Sequence, residues 1–317
     1  KFADLCQKTI YKKYSINCLI AENEEDIIIC PIIKRKFNFQ GKNFFDLTSL
    51  YNLGGPIQKK NNIILQNFFT EKFYEYCAEN KIINYFIRFH PIIKNSDIFL
   101  NNCELINTGE FASVNLDTLK YPIIKNFEYR HQKSIKKAIN SKIEIIVSNE
   151  KKYIEDFIRI YYKEMKFKNV EDFYFFEKDF FYNLEKYINN NYQFFFAKYK
   201  DEIISCELVL FSNHYCHSFL GATKEEFKYL CSNHLLKQKI IEHFKEKKLK
   251  FYLLGGSSNP NDGIIKYKNG FSNEKKRKNF IGKIYYNKKF YDSLINKFKE
   301  KYSNENFKKL QFYEKYF

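Results

Sequence analysis

The chain reads as a mixed α/β fold of the α+β kind, built from two domains. Three observations predict this. Its 317 residues are more than one small hydrophobic core usually organises. Runs rich in Ile, Phe and Tyr alternate with stretches of helical periodicity along the whole length. The composition, 44% apolar and 19% aromatic, is that of a folded chain rather than a disordered one.

The first half opens with strands expected at Ser15 to Ala21 and Ile27 to Ile33, divided by the acidic turn Glu22 to Asp26. Phe45 to Tyr51 leads into Gly54-Gly55-Pro56. Phe68 to Asn80 reads as a helix with Thr70 and Glu71 near its start, and Ile82 to Phe89 as a strand ending in His90-Pro91. Cys103 to Leu116 reads as two short strands. Tyr129 to Ile139, with Arg130, Lys133, Lys136 and Lys137, reads as a basic helix linking the halves. Lys142 to Val147 is a further strand, so the domain boundary is expected between residues 141 and 142.

The second half repeats the mixture. Tyr153 to Met165 places Ile154, Phe157, Ile158 and Tyr161 on one helical face, and Glu177 to Asn189 reads as a second helix. Strands follow at Tyr192 to Tyr199, Ile203 to Phe211 and Tyr215 to Leu220. Asn233 to Lys247 is an amphipathic helix and Lys250 to Leu254 a strand. Ile281 to Tyr286 is a late strand before a polar helical tail, Lys288 to Lys308.

The formal net charge is +17, and Lys, Asn, Ile, Phe and Tyr dominate, as an AT-rich coding bias would produce. Such charge favours anionic partners such as nucleotides, tRNA or an acidic membrane surface; a solvated lysine coat is the plain alternative. No apolar run approaches the ~18 residues of a membrane span, and no secretory signal is visible. The eight cysteines are scattered with no CxxC pair, which reads as reduced thiols, and the expected location is the cytoplasm. His214, Cys216, Cys231 and His234 match no closed zinc spacing.

Lys250 to Ser272 concentrates the functional signal. The apolar run Phe251 to Leu254 ends in Gly255-Gly256, where a strand can turn and a ligand can approach the backbone. After a polar loop come Tyr267-Lys268 and Gly270-Phe271. A lysine there suits a polarised substrate oxygen.

Four segments resemble the Fem family of peptidoglycan-bridge aminoacyltransferases and the related Gcn5-related N-acetyltransferase (GNAT)-like acyltransferases. These are Tyr51-Asn52-Leu53-Gly54-Gly55-Pro56, Arg88-Phe89-His90-Pro91, Tyr161 with Met165, and Leu254-Gly255-Gly256 through Asp262 to Tyr267-Lys268 and Gly270-Phe271. The order of elements in the second half resembles the GNAT fold as well. The resemblance implies two GNAT-like domains in tandem, the first a degenerate copy, and acyl transfer to an amine. It departs from the pattern where Glu164 stands at a usual threonine and where Thr223 to Asn233, the stretch expected to cradle coenzyme A phosphates, holds no glycine. Only Ser232 and Asn233 hint at a phosphate-binding helix start.

The resemblance assigns Lys268 to the carbonyl or oxyanion, against the reading of one solvated lysine among many. Tyr267 walls the donor channel or packs in the core. Gly255 and Gly256 shape the site, and Asp262 either caps the following helix or serves the site. Arg88, beside His90, grips an acceptor diphosphate or forms a salt bridge. Lys34, Arg35 and Lys36 follow an apparent strand and either grip the same diphosphate, with Lys36 foremost, or form a solvated turn. Tyr51, Gly55 and Tyr161 complete the substrate-binding set by resemblance.

The function expected is N-acyl transfer, acetyl or aminoacyl, to an amine of a nucleotide-activated sugar or cell-envelope glycan precursor, as in surface-glycan biosynthesis. Acyl-CoA or aminoacyl-tRNA is the donor substrate, with no tightly bound cofactor and no metal. A nucleotide-sugar or lipid-linked precursor, tRNA and the inner membrane surface are the expected partners. The rivals are an aminoacyl-tRNA-dependent bridge transferase, which the charge suits, and a basic nucleic-acid-binding protein.

Overall fold

The computed structural model describes residues 1–168, 175–257 and 263–301. In chain order its elements are α1 (Phe2–Thr9), β1 (Ser15–Glu22), β2 (Ile27–Phe39), β3 (Lys42–Thr48), β4 (Ile57–Gln58), α2 (Ile63–Glu79), β5 (Ile82–Arg88), β6 (Glu104–Asn115), α3 (Tyr129–Asn140), β7 (Glu144–Val147), α4 (Lys151–Phe167), α5 (Lys178–Tyr182), α6 (Leu184–Ile188), β8 (Tyr192–Tyr199), β9 (Glu202–Phe211), β10 (Tyr215–Thr223), α7 (Ser232–Glu246), β11 (Phe251–Gly256), α8 (Gly263–Asn269), β12 (Arg277–Tyr285) and α9 (Lys288–Lys301). Internal contacts divide the chain into two compact units. One holds Glu110–Arg277 with Lys1–Leu5, the other Cys6–Gly109 with the described residues from Lys278 onward.

The Cys6–Gly109 unit arranges its strands β1-β2-β3-β5-β12, with β4 beside β2. All neighbours are antiparallel except β3 and β5, which run parallel. Parallel neighbours need a crossover, and α2 supplies it. Along β2, Ile28, Cys30 and Ile32 alternate inward onto Leu65, Phe69, Phe73 and Cys77 of α2. This helix begins at Ile63, ahead of the expected Phe68, because Asn62 Oδ1 accepts the Leu65 N–H at 3.0 Å and caps it.

The Glu110–Arg277 unit orders its strands β6-β11-β10-β9-β8-β7. Again one neighbouring pair, β10 and β11, is parallel, with α7 as the crossover. The run Phe194-Phe195-Phe196 shows why helices cover both faces. Phe194 packs edge-on to Phe157 of α4, with ring centroids 5.0 Å apart, while Phe195 meets Phe244 of α7 at 5.9 Å. Strand side chains alternate between faces, so a continuous aromatic run is buried only when both faces are covered.

Each unit therefore carries an antiparallel three-strand run, a crossover helix and a parallel strand, the fold of two GNAT-like domains in tandem. Each is completed by a strand from the other half of the sequence. β12 pairs with β5 in one unit, and residues Phe111 to Asn115 of β6 pair with β11 in the other. The contact partition consequently falls elsewhere than a cut at residue 141. The basic helix α3 packs its Ile135 and Ala138 into the core beneath α7 and does not act as a linker.

Three smaller expectations also change. Residues 104–115 form one strand rather than two, and the strand runs through Gly109 although that glycine sits at φ +123°. The helix expected over Glu177 to Asn189 is two short ones, and Asn183 Nδ2 donates to Asp179 O at 2.8 Å where they part. Lys34, Arg35 and Lys36 lie inside β2, not in a turn. Arg35 is buried in a bidentate pair with Asp46, while Lys34 donates to Asn80 Oδ1 and covers the Phe45 ring. Lys36 alone of the three is exposed.

Candidate functional site

The parallel ladder between β10 and β11 joins only Tyr215 to Phe251, Cys216 to Tyr252 and His217 to Leu253. Past His217 the ladder ends, and β10 also slips register against β9 between Ser218 and Leu220. The opening is a cavity of about 570 Å³. Its walls are Ser218 to Thr223 of β10, Leu254 of β11, the start of α7 from Cys231 to His234, and Ile264, Tyr267 and Lys268 of α8. Glu207 and Lys237 also line it, as do Lys168 and Lys228, which are exposed.

Gly255, Gly256 and Lys268 meet here. Lys268 Nζ donates to Gly256 O at 3.1 Å. Gly255 has φ +93°, and a Cβ built on it would sit 3.1 Å from Lys268 Nζ. The glycine thus makes the strand end and leaves room for the ammonium. Tyr267 is half-buried, donates to Asn233 O at 3.4 Å and has its phenol pushed well above the ordinary range, by burial first and by the Glu207 carboxylate second.

α7 begins without a side-chain cap. Cys231, at φ +57°, occupies the cap position with no capping hydrogen bond. The next residue, Ser232, is fully buried, and its Oγ has no hydrogen-bond partner among the described residues. First-turn amides of a helix point outward along its axis and favour anions. A left-handed Cys231 thus provides the turn for which the sequence held no glycine.

Glu207 and Lys237 form the innermost polar wall. Lys237 Nζ lies 2.6 Å from Glu207 Oε2, donates to Ser218 Oγ at 2.8 Å and to Tyr252 OH at 3.1 Å. Tyr252 OH donates in turn to Glu207 Oε1. The Lys237 and Glu207 side chains are 7% and 2% exposed, so this is a buried, closed network drawn from β9, β10, β11 and α7. Burial and the Glu207 charge drive the Tyr252 phenol well above its usual range.

A ring cluster backs α8. His131 Nε2 donates to Tyr267 O at 2.9 Å, leaving Nδ1 buried without a partner among the described residues. His131 lies 4.4 Å from the Phe271 ring centroid and 5.0 Å from that of His234. Burial lowers both imidazoles, and with His131 and Arg130 nearby that of His234 falls to about 4. Both rings are neutral at physiological pH. Gly270 fits because a Cβ there would lie 2.2 Å from His131 Cε1.

None of the remaining sequence-selected residues that the structure describes is among those lining this cavity. Tyr161 is buried in the core, stacked on Phe157 at 5.7 Å. Beside it Glu164 is buried and accepts the Glu225 N–H at 3.3 Å. Asp262 lies outside the described residues. Tyr51, Gly55, Arg88, His90 and Lys36 all belong to the Cys6–Gly109 unit. There Gly54 N donates to Arg88 O, Asn95 Nδ2 donates to Gly54 O and His90 N donates to Asn95 Oδ1, which knits the two motifs together. Gly55 is at φ +89°, and its missing Cβ would meet Ile87 at 2.8 Å. His90 Nδ1 accepts the Ile92 and Ile93 N–H groups, so this ring ties a turn. Tyr51 is buried, and the Arg88 guanidinium lies over the Phe86 ring at 5.3 Å. Among the described residues no three His, Cys, Asp or Glu side chains converge as a metal site would. No described helix is long and apolar enough to cross a membrane.

Glu207, Ser218, Lys237 and Tyr252 were not selected from the sequence, whereas Ser232 was noted there as a hint of a phosphate-binding helix start. Lys237 carried a signal, a lysine on the buried face of an amphipathic helix. The partner that explains it, Glu207, lies 30 positions away on strand β9.

Residues 146–269 match the acetyltransferase (GNAT) domain family. No curated protein matches the chain by sequence. Its structure is similar to the crystal structure of FemX, with a TM-score of 0.72 and 11% identity over 92% of each chain. It is also similar to the C-terminal domain of a protein assigned as a lysylphosphatidylglycerol synthetase from Agrobacterium fabrum, with a TM-score of 0.58 and 11% identity over 88% of this chain and 90% of that one. L-PGS from Bacillus licheniformis follows at a TM-score of 0.56 and 10% identity, over 84% and 83% of the two chains. At these identities the likeness is one of fold.

Proposed function

We propose that this chain, whose residues 146–269 match the acetyltransferase (GNAT) domain family, transfers an acyl group from a phosphate-bearing carrier to an amine on a cell-envelope glycan precursor. The observation that carries this reading is the cavity where β10 and β11 part. It combines a cation at one wall, Lys268, with the uncapped start of α7 at another. The carrier phosphate would take the first-turn amides of α7 and the unpartnered Ser232 hydroxyl, with Lys228 and Lys168 nearby. The acyl group would enter between the strands.

The acceptor amine, uncharged, attacks the acyl carbonyl. A C–N bond forms and the carbonyl pair moves onto oxygen, where Lys268 meets the new negative charge. Collapse breaks the bond to the carrier, whose thiolate or ribose oxygen leaves and takes up a proton, while the nitrogen loses one. No protein nucleophile is needed, and orientation in the cavity supplies much of the rate. Arg88 and Lys36 are proposed to hold the anionic part of a nucleotide-sugar or lipid-linked acceptor. Fold neighbours named for lysylphosphatidylglycerol support an acceptor or product at a membrane surface.

The test is a donor panel of acyl-CoA and aminoacyl-tRNA with amine-bearing nucleotide sugars and lipid-linked precursors, followed by mass spectrometry of the acceptor. Transfer from either carrier is the expected result. Transfer from tRNA should fall steeply with salt through counterion release, and transfer from CoA much less. A panel with no donor-dependent mass gain, and no thermal stabilisation by any donor, contradicts the reading.

A further inference from the structure

We propose that Arg130 and His131 are positioning residues: the first turn of α3 caps the C-terminal end of α8 and so holds the Lys268 ammonium at the cavity wall. This rests on the acyl-transfer reading of the cavity and goes further, to what fixes its cation. α8 has seven residues, and helices shorter than ~12–15 residues are marginal on their own. Its buried residue is Ile265, which joins the core. A helix this short needs an outside hold to keep Lys268 Nζ on Gly256 O.

The last carbonyls of a helix have no partner within it. At α8 they are taken by the start of α3. Arg130 Nη2 donates to Lys266 O at 2.6 Å and His131 Nε2 to Tyr267 O at 2.9 Å, each across 136 positions of chain. The N–H of Glu128, the N-cap residue of α3, donates to Gly270 O at 2.9 Å. The Gly270 N–H turns to Tyr267 O, three residues back, at 3.2 Å, and Lys266 O is left to the guanidinium. Arg130 Nε lies 2.7 Å from Glu128 Oε2, which aims its fork, and the positive charge suits the negative end of a helix. His131 is 2% exposed, and its Nδ1 has no partner among the described residues. The ring therefore serves as the neutral Nε2–H tautomer, with its one donor on the Tyr267 carbonyl. Ile135 and Ala138 anchor α3 in the core, so the cap ties α8 to a fixed frame. On the other side of Lys268, Asn269 Nδ2 donates to Glu110 Oε2 at 2.8 Å. Neither Arg130 nor His131 lines the cavity, so both act through α8.

The experiment pairs variants that lose the donor with variants that keep one. Arg130→Met and His131→Phe preserve bulk and lose the N–H groups; Arg130→Lys and His131→Gln retain a donor. Amide exchange of residues 263–272, read by mass spectrometry, should quicken by about tenfold in the first pair and by about threefold or less in the second. Single-turnover transfer should slow by about tenfold in the first pair, with donor affinity within about twofold of wild type, and should be largely restored in the second. In a Lys268→Met background, His131→Phe or Arg130→Met should slow transfer by less than about twofold, because an effect exerted through the ammonium vanishes with it. Arg130 is exposed, so Arg130→Met keeps the test decisive should the buried His131→Phe fail to fold. Unchanged exchange in the donor-less variants, no rescue by the conservative ones, or slowdowns that multiply in the Lys268→Met background overturns this proposal and leaves acyl transfer standing. If the wild type transfers no acyl group from any carrier, the acyl-transfer reading falls, and the exchange data alone decide whether the cap exists.

Discussion

Replacing Lys237 with Met should destabilise the Glu110–Arg277 unit far more than the loss of one side chain suggests. Methionine matches the stem of lysine but removes the ammonium. Glu207, only 2% exposed, would keep the Tyr252 hydroxyl as its remaining partner among the described residues, and Ser218 Oγ would lose its donor. Leaving one member of a buried pair uncompensated costs about 3–5 kcal/mol. At about 2–4 °C per kcal/mol for a domain of this size, Tm should fall by roughly 10 °C. Lys237→Met/Glu207→Gln removes both charges and keeps a group that can bond Tyr252, so it should lose only about 1–2 kcal/mol. The two substitutions are thus coupled by roughly 2 kcal/mol or more. Urea unfolding followed by far-UV circular dichroism on wild type, both single variants and the double variant gives this cycle directly. A Lys237→Met loss below about 1 kcal/mol, or strictly additive effects, would refute the picture of a closed buried network.

Other consequences follow from the same geometry. Gly270→Ala would drive a methyl into His131 at 2.2 Å and should cost about 1–3 kcal/mol with slower transfer, read by denaturation and initial rates. Gly255→Ala combines strain at φ +93° with crowding of Lys268 Nζ, so it should lower kcat at least as much as it lowers stability; a kcat equal to wild type argues against the glycine–lysine contact. The folded-state pKa of His234, about 4, lies below its unfolded value near 6.5, so acid protonates the unfolded chain first. Its contribution is complete above about pH 6.5 and is lost as pH falls toward 4, by roughly 3 kcal/mol; His234→Phe should flatten the stability–pH curve over that window. Arg88→Lys keeps the charge but loses the fork, so the acceptor KM should rise about tenfold at unchanged Tm, and an unchanged KM removes Arg88 from the acceptor site.

Local chemistry made much of the fold legible. The alternation in β1 and β2, the buried face of α4 and the glycine-ended strand β11 follow from periodicity and backbone freedom, and all four stand as strands or helices, with β2 running past the expected Ile33 to Phe39. The meeting of Gly255, Gly256, Tyr267 and Lys268 was legible as well, because those residues lie within a short stretch of chain. What escaped was non-local. The placing of β12 beside β5 and of β6 beside β11 depends on pairings between distant halves of the sequence, such as Ile281 with Arg88 and Phe251 with Asn115. Glu207, Ser218, Lys237 and Tyr252 sit on four elements, and no one of them is unusual until the others are placed around it. Cys231 escaped for a different reason. A positive φ at a non-glycine residue is uncommon, so a glycine-free stretch gave no hint of the turn that opens α7.

The most direct test of the account is the single-turnover rate of acyl transfer by Lys268→Met. The ammonium, 3.1 Å from Gly256 O on the cavity wall, is placed to meet charge that develops only as the amine attacks. The substitution should therefore slow transfer by roughly a hundredfold or more while donor affinity and Tm change little. Transfer at the wild-type rate by a folded Lys268→Met protein would contradict the central claim that this cavity is where the acyl group moves.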